Sequence, residues 1–208
     1  MLDVITPELA AYHQKRLAQF RLENTKLSPQ GIVFVGDSIT EFFPIKKYLG
    51  RDLPLINRGI AGMDTSWLLS HLDEQVVALE PRQIILMIGV NDIGMGFSIS
   101  DIVERMAELL GQLRMTCFGA EILLLSVLPV NEAQAYAKTV KIRSNALITE
   151  LNKSLKGLSG IEFINLYPEF LDETGQLAVP YTTDGLHLTP KAYEKLAHLL
   201  TPYLENMV

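Results

Sequence analysis

The sequence predicts a three-layer α/β/α sandwich, and three observations carry that prediction. Short apolar runs recur along the chain, segments with helical spacing separate them, and turn residues follow each run. The runs are IVFVG (32–36), LPLINRG (53–59), QIILMIG (83–89), EILLLSVLP (121–129) and IEFINL (161–166). Several are apolar on both faces, as strands of a parallel sheet covered by helices on each side would be. Strands alternating with helices at these separations imply right-handed crossovers.

The helices follow from their stripes. An opening helix is expected over about residues 7–24. From 101 to 117, Ile102, Met106, Leu109, Leu110, Leu113 and Cys117 share one face, with Ser100 or Asp101 as the N-cap. Residues 132–158 read as one longer helical stretch carrying Tyr136, Val140, Leu147, Ile148, Leu151, Leu155 and Leu158. The last helix starts with Thr189 as cap and Pro190 in its first turn, and turns Tyr193, Leu196, Ala197 and Leu200 inward.

With 208 residues, 48% of them hydrophobic and 20% charged, the chain is long enough for one well-buried core and short for two. One domain spanning 1–208, with an N-terminal helix, is the expectation. The net charge of −6 comes with no basic run of the kind that neutralises phosphates, so neither nucleic acid nor a membrane surface is an expected partner. A single cysteine, Cys117, forms no internal disulfide, and the first residues lack a basic start and an apolar signal core, which points to the cytoplasm. A homodimer is the default assembly.

In open sheets of this kind chemistry gathers where strands end. The loops there read GDS (36–38), NRGIAGMDT (57–65), GVND (89–92) and, before the last helix, DGLH (184–187). Each alone is ordinary turn chemistry. Together they supply Ser38 as a hydroxyl, His187 as a base for its proton, and Asp184 three residues away to orient that imidazole, which is the logic of nucleophilic acyl transfer. An oxyanion would need donors, and the Gly62 N–H and the Asn91 amide could provide them. His13, His71 and His198 lie on helical or connecting segments and are read as structural. Asp184 with His187 lacks a third ligand for a metal.

This ordered set resembles the SGNH hydrolase superfamily, or GDSL-type esterases, over about residues 31–200, leaving mainly the opening helix outside. The resemblance implies a flavodoxin-like sandwich with a five-stranded parallel sheet, Ser38 as nucleophile and first oxyanion donor, Gly62 and Asn91 as the other donors, His187 as base and Asp184 as its partner. It implies no metal or organic cofactor. The blocks are most similar to small bacterial members akin to platelet-activating-factor acetylhydrolase subunits, and so imply a small-molecule ester substrate with a short, acetyl-like acyl group. Two departures stand out: Ile39 follows the serine where many members have leucine, and Met63 follows Gly62 where an aspartate is frequent. Gly59 is the other candidate donor.

Lysophospholipase, thioesterase or acyltransferase activity on the same site are the alternatives. More distant are a phosphatase using Asp37, which lacks a second aspartate two residues on, and a non-catalytic binding domain. Loops 40–49, 92–100, 129–140 and 167–183 are expected to shape the pocket, with Phe42, Phe43, Met95, Phe97, Tyr136 and Tyr181 as candidate walls. Gly94 and Gly96 make 92–100 a candidate lip.

Overall fold

The computed structural model describes residues 1–205. Its elements run α1 (Pro7–Asn24), β1 (Ile32–Gly36), α2 (Ser38–Glu41), α3 (Ile45–Tyr48), β2 (Leu55–Gly59), α4 (Thr65–Ser70), α5 (Leu72–Gln75), β3 (Gln83–Met87), α6 (Val90–Met95), α7 (Ile99–Thr116), β4 (Glu121–Leu125), α8 (Ala137–Val140), α9 (Asn145–Leu155), β5 (Glu162–Ile164) and α10 (Pro190–Glu205). The five strands form one parallel sheet in the order β2-β1-β3-β4-β5. The reversal of order falls between β1 and β3, which is where such a sheet opens a crevice at its carboxyl edge.

Successive strand residues face opposite layers, and both layers are closed. Val35, Ile84, Leu86, Ile122 and Leu124 pack with Leu68, Met106, Leu109, Leu113, Ile148 and Leu151 from helices on one side. Phe34, Ile85, Met87, Leu123 and Leu125 pack with Tyr193, Leu196 and Leu200 of α10 on the other. Cys117 is buried at the end of the α7 stripe, and burial pushes its thiol pKa up, consistent with an inert apolar filler.

Beyond strands trimmed to Leu55–Gly59, Gln83–Met87 and Glu162–Ile164, three segments differ from the sequence reading. Helix α7 begins at Ile99 because Ser98 is the N-cap, its hydroxyl accepting from Asp101 N at 3.1 Å, so neither Ser100 nor Asp101 has that role. The run 121–129 stays buried throughout its apolar residues but leaves the sheet after Leu125. Two amides on α9 take over its backbone bonding: Asn152 accepts from Val127 N and donates to Val127 O, and Asn145 does the same for Val130, all at 2.8–3.0 Å. An apolar run can therefore be core without being strand.

The largest difference is at 132–158, which is not one helix. A 3-10 turn (Gln134–Tyr136) leads into α8, Lys141 adopts a left-handed φ of 55°, and α9 starts only after Ser144 caps it by accepting from Leu147 N. Apolar spacing continues across the break because both pieces cover the same layer. The break turns Arg143 inward, where it is 4% exposed.

Candidate active site

Register brings the loops together. Gly36, the last residue of β1, sits opposite Gly59 of β2 and Met87 of β3. The two glycines are required by close approach: a Cβ on Gly59 would lie 2.2 Å from Glu41 N, and one on Gly36 would lie 2.1 Å from Met87 O. Helix α2 can therefore settle directly over the strand ends. Its N-cap is Asp37, whose carboxylate accepts from Ile39 N at 2.9 Å, and Ser38 is its first residue. The Ser38 N–H is thus one of the first-turn donors that no intrahelical carbonyl takes up.

His187 arrives from the other end of the chain. Asp184 Oδ1 accepts from Leu186 N (3.0 Å) and His187 N (2.8 Å), which closes the DGLH turn, and Thr189 Oγ1 then caps α10 by accepting from Ala192 N at 3.3 Å. Asp184 Oδ2 accepts from His187 Nδ1 at 2.7 Å, and His187 Nε2 lies 3.0 Å from Ser38 Oγ. Because the carboxylate can only accept, Nδ1 carries the proton and Nε2 is the basic nitrogen facing the hydroxyl. Burial alone would raise the Asp184 pKa, but the hydrogen bonds from the His187 ring and from the two backbone N–H groups hold it below the usual value.

Asn91 stands across the crevice, at the start of α6. Its Nδ2 donates to Met63 O at 3.0 Å, leaving its second amide hydrogen for another acceptor. Its Oδ1 accepts from Arg143 Nη2 at 3.0 Å. Arginine only donates, so this contact fixes which end of the amide is nitrogen. Gly62 adopts a φ of 78°, and among the described residues its N–H has no acceptor. Gly59 does not share that position: its N–H donates to Asn57 Oδ1 at 2.9 Å and its Cα packs on α2.

Ser38, Gly62, Asn91 and His187 line one cavity of about 520 Å³. Val4, Leu9, Phe42, Met95 and Leu186 form its apolar walls, and Lys138, Lys141 and Arg143 with Asp3 its charged side. Of the walls expected from sequence, Phe42 and Met95 are there. Phe43 instead stacks on Tyr193 in the core (5.3 Å between centroids), Phe97 lies under the Arg105 guanidinium, Tyr136 packs on Gly185, and Tyr181 meets Phe170 edge-on. The 92–100 segment does not form a free lip: its first residues belong to α6, and Gly94 is covered by Asp3 and Arg143.

Asp37 is 1% exposed and braces its turn, with a pKa pushed up to about 6 by burial. Asp92, the last residue of GVND, is fully buried, and burial likewise pushes its pKa up to about 6. It accepts from Thr65 N and Thr65 Oγ1 and pairs with Arg105 at 3.2 Å, which fastens the Asn91 loop to the start of α4. No group of three or more His, Cys, Asp or Glu side chains able to hold a metal occurs among the described residues, and no helix among them is long and apolar enough to cross a membrane.

Arg143, Asp3 and Glu41 were not singled out by sequence reasoning. An isolated arginine inside what reads as one helical stretch carries no spacing signal. Asp3 and Glu41 matter only through partners far away in sequence.

The sequence model of the GDSL-like lipase/acylhydrolase family matches residues 34–195. A solved structure described as "a putative platelet activating factor from Streptococcus pneumonia" superposes with a TM-score of 0.90 at 34% identity, covering 94% of each chain. Among curated proteins, the platelet-activating factor acetylhydrolase IB subunit alpha2 of Rattus norvegicus is 25% identical over 171 residues, 79% of this chain and 72% of that one. The N-acylneuraminate cytidylyltransferase of Escherichia coli O18:K1:H7 is 28% identical over 178 residues, which is 81% of this chain but only 39% of that protein. The chain thus spans about two fifths of that longer relative. On the strength of the family match and the strand-end residues it includes, the chain belongs to the GDSL-like lipase/acylhydrolase family.

Proposed function

We propose that this acylhydrolase is a serine esterase that works through an acyl-enzyme on short acyl esters, acetyl above all. The observation that carries the reading is the chain Ser38 Oγ, His187 Nε2, His187 Nδ1, Asp184 Oδ2, with contacts of 3.0 and 2.7 Å, opening on a cavity flanked by Gly62 and Asn91. Ser38 Oγ attacks the ester carbonyl as His187 Nε2 takes its proton, and Asp184 stabilises the imidazolium. The carbonyl oxygen becomes an oxyanion, held by the N–H groups of Ser38 and Gly62 and by the Asn91 amide. The C–O bond to the alcohol breaks, and His187 returns the proton to the leaving oxygen. Water, deprotonated by His187, then attacks the acyl-serine, and Ser38 leaves with that proton.

The short acyl preference rests on the walls and the relatives. Val4, Leu9, Phe42 and Leu186 line the cavity, and the rat relative is named as an acetylhydrolase. Rates on p-nitrophenyl esters from acetyl to octanoyl test it, with Ser38→Ala as control. A kcat/KM falling steeply beyond acetyl and abolished in Ser38→Ala supports the proposal. A flat or long-chain profile replaces acetyl with a lysophospholipase or thioesterase role, and activity retained by folded Ser38→Ala removes the serine mechanism.

A further inference from the structure

Two residues that precede the family match at residue 34, His13 outside the cavity lining and Asp3 on its charged side, reach the groups that hold the candidate donors. His13 of α1 is 1% exposed, and its Nε2 lies 2.9 Å from Ala61 O. A carbonyl only accepts, so Nε2 carries the hydrogen, and His13 Nδ1 has no partner among the described residues. The Ala61 carbonyl belongs to the same peptide unit as the Gly62 N–H. In a trans peptide the two point in opposite directions within one plane, so a bond that fixes the carbonyl also aims the N–H. The preceding peptide is held as well: Ala61 N donates to Glu41 Oε2 at 2.5 Å, and Glu41 is itself bonded by Tyr12 Oη and paired with Arg16, both on α1.

The other donor is held through Asp3. Asp3 N donates to Gly94 O at 2.8 Å, and its carboxylate pairs with Lys141 and with Arg143 Nη2. Arg143 Nε donates to Val90 O at 2.9 Å while Nη2 reaches Asn91 Oδ1. The guanidinium is buried, so its planar fork is locked at both ends and turns the Asn91 NH2 toward the crevice.

We propose that the N-terminal segment is the positioning scaffold of the oxyanion hole, His13 acting through the Ala61–Gly62 peptide and Asp3 through Arg143 and Asn91. The proposal rests on the serine esterase reading. Neither residue touches the reacting atoms. Each restrains a donor that would otherwise swing, and such a donor stabilises the transition state only when it is aimed before charge develops.

The test uses full-length His13→Ala, His13→Gln and Asp3→Ala, each alone and with Asn91→Ala, on p-nitrophenyl acetate, with thermal unfolding recorded alongside. His13→Ala and Asp3→Ala are expected to lower kcat about 10-fold or more with KM within about twofold, since the lost interaction belongs to the transition state. His13→Gln keeps a donor for Ala61 O and should recover most of the kcat. With Asn91 already removed, Asp3→Ala should cost nothing further. Wild-type kcat in folded His13→Ala and Asp3→Ala, or an Asp3→Ala loss undiminished beside Asn91→Ala, would overturn the proposal. Failure of the serine reading shows separately, as activity surviving Ser38→Ala.

Discussion

His187 Nε2 lies 3.0 Å from Ser38 Oγ although 149 residues separate them in sequence. Two contacts hold the ends of that distance. The Tyr193 hydroxyl on α10 donates to Ile39 O at 2.9 Å, tying the helix that follows His187 to the turn that carries Ser38. Asp184, accepting from both the backbone N–H and the ring Nδ1 of His187, then fixes the imidazole on its own turn.

Asp184→Asn separates orientation from folding. An asparagine Oδ1 can still accept from Leu186 N and His187 N, so the turn persists. Its NH2 would face His187 Nδ1, and two donors cannot meet, so the ring adopts the tautomer with hydrogen on Nε2 and cannot accept from Ser38. A kcat loss of about 10³- to 10⁴-fold is expected, with an unfolding midpoint near wild type. Steady-state kinetics beside circular dichroism check it; activity within about tenfold of wild type would show that His187 does not need this carboxylate.

Asn91→Ala removes one amide donor and leaves the Arg143 guanidinium facing an empty position. The expected kcat loss is about 10²- to 10³-fold, or roughly 2.7–4 kcal/mol of transition-state stabilisation, with little change in KM. Some loss of stability should accompany it, because Arg143 is buried and gives up one of its acceptors. A change confined to KM would instead place Asn91 in ground-state binding.

The two candidate glycines should fail differently when changed to alanine. At Gly59 the new methyl meets backbone of α2 at 2.2 Å, so the strand-helix packing must shift and stability falls by at least the roughly 1–3 kcal/mol of an overpacked core. At Gly62 the methyl comes closest to the Leu9 side chain, at 3.0 Å, but the residue sits at a φ of 78°. Alanine there costs about 1–2 kcal/mol of backbone strain, and the N–H turns as the strain relaxes. Gly59→Ala is therefore expected to lower the denaturant midpoint most, and Gly62→Ala to lower kcat most. The reverse ranking would exchange their roles.

These residues also mark what a sequence reveals. That Ser38, Gly62, Asn91, Asp184 and His187 meet at one edge was legible because each stands in a short block at a strand end or helix start, where local chemistry and topology agree on a destination. All five strands were legible for the same reason, as apolar runs cut by turn residues. The 132–158 break was not, because Val140 and Ile148 cover one layer on both sides of it and periodicity records burial rather than continuity. Asn145 and Asn152 are ordinary polar residues in sequence, and only the fold shows them completing the backbone of 127–130. Arg143, Asp3 and His13 act through partners dozens of residues away, with no local pattern to announce them.

Asp37 gives a pH prediction whose sign follows from burial. Its folded-state pKa is raised from 3.8 to about 6, chiefly by desolvation, with the bond from Ile39 N acting the other way. Between those values the folded state holds a proton that the unfolded state has lost. The stabilisation is therefore fully present below about pH 4 and disappears as pH rises through about 6. A shift of that size corresponds to on the order of 3 kcal/mol. Asp37→Asn keeps an acceptor for Ile39 N and removes the charge, so it should be relatively neutral near pH 4 and gain on wild type as pH increases, levelling off above about pH 7. Urea unfolding of wild type and Asp37→Asn in steps from about pH 4 to about pH 8 checks this. Asp92 is raised to a similar value and its charge also raises Asp37, so part of the gain in Asp37→Asn comes from relieving that repulsion, with the same sign. A stability difference that is constant across the series would mean that burial does not penalise the Asp37 carboxylate, and one that shrinks toward the alkaline end that its surroundings hold it charged.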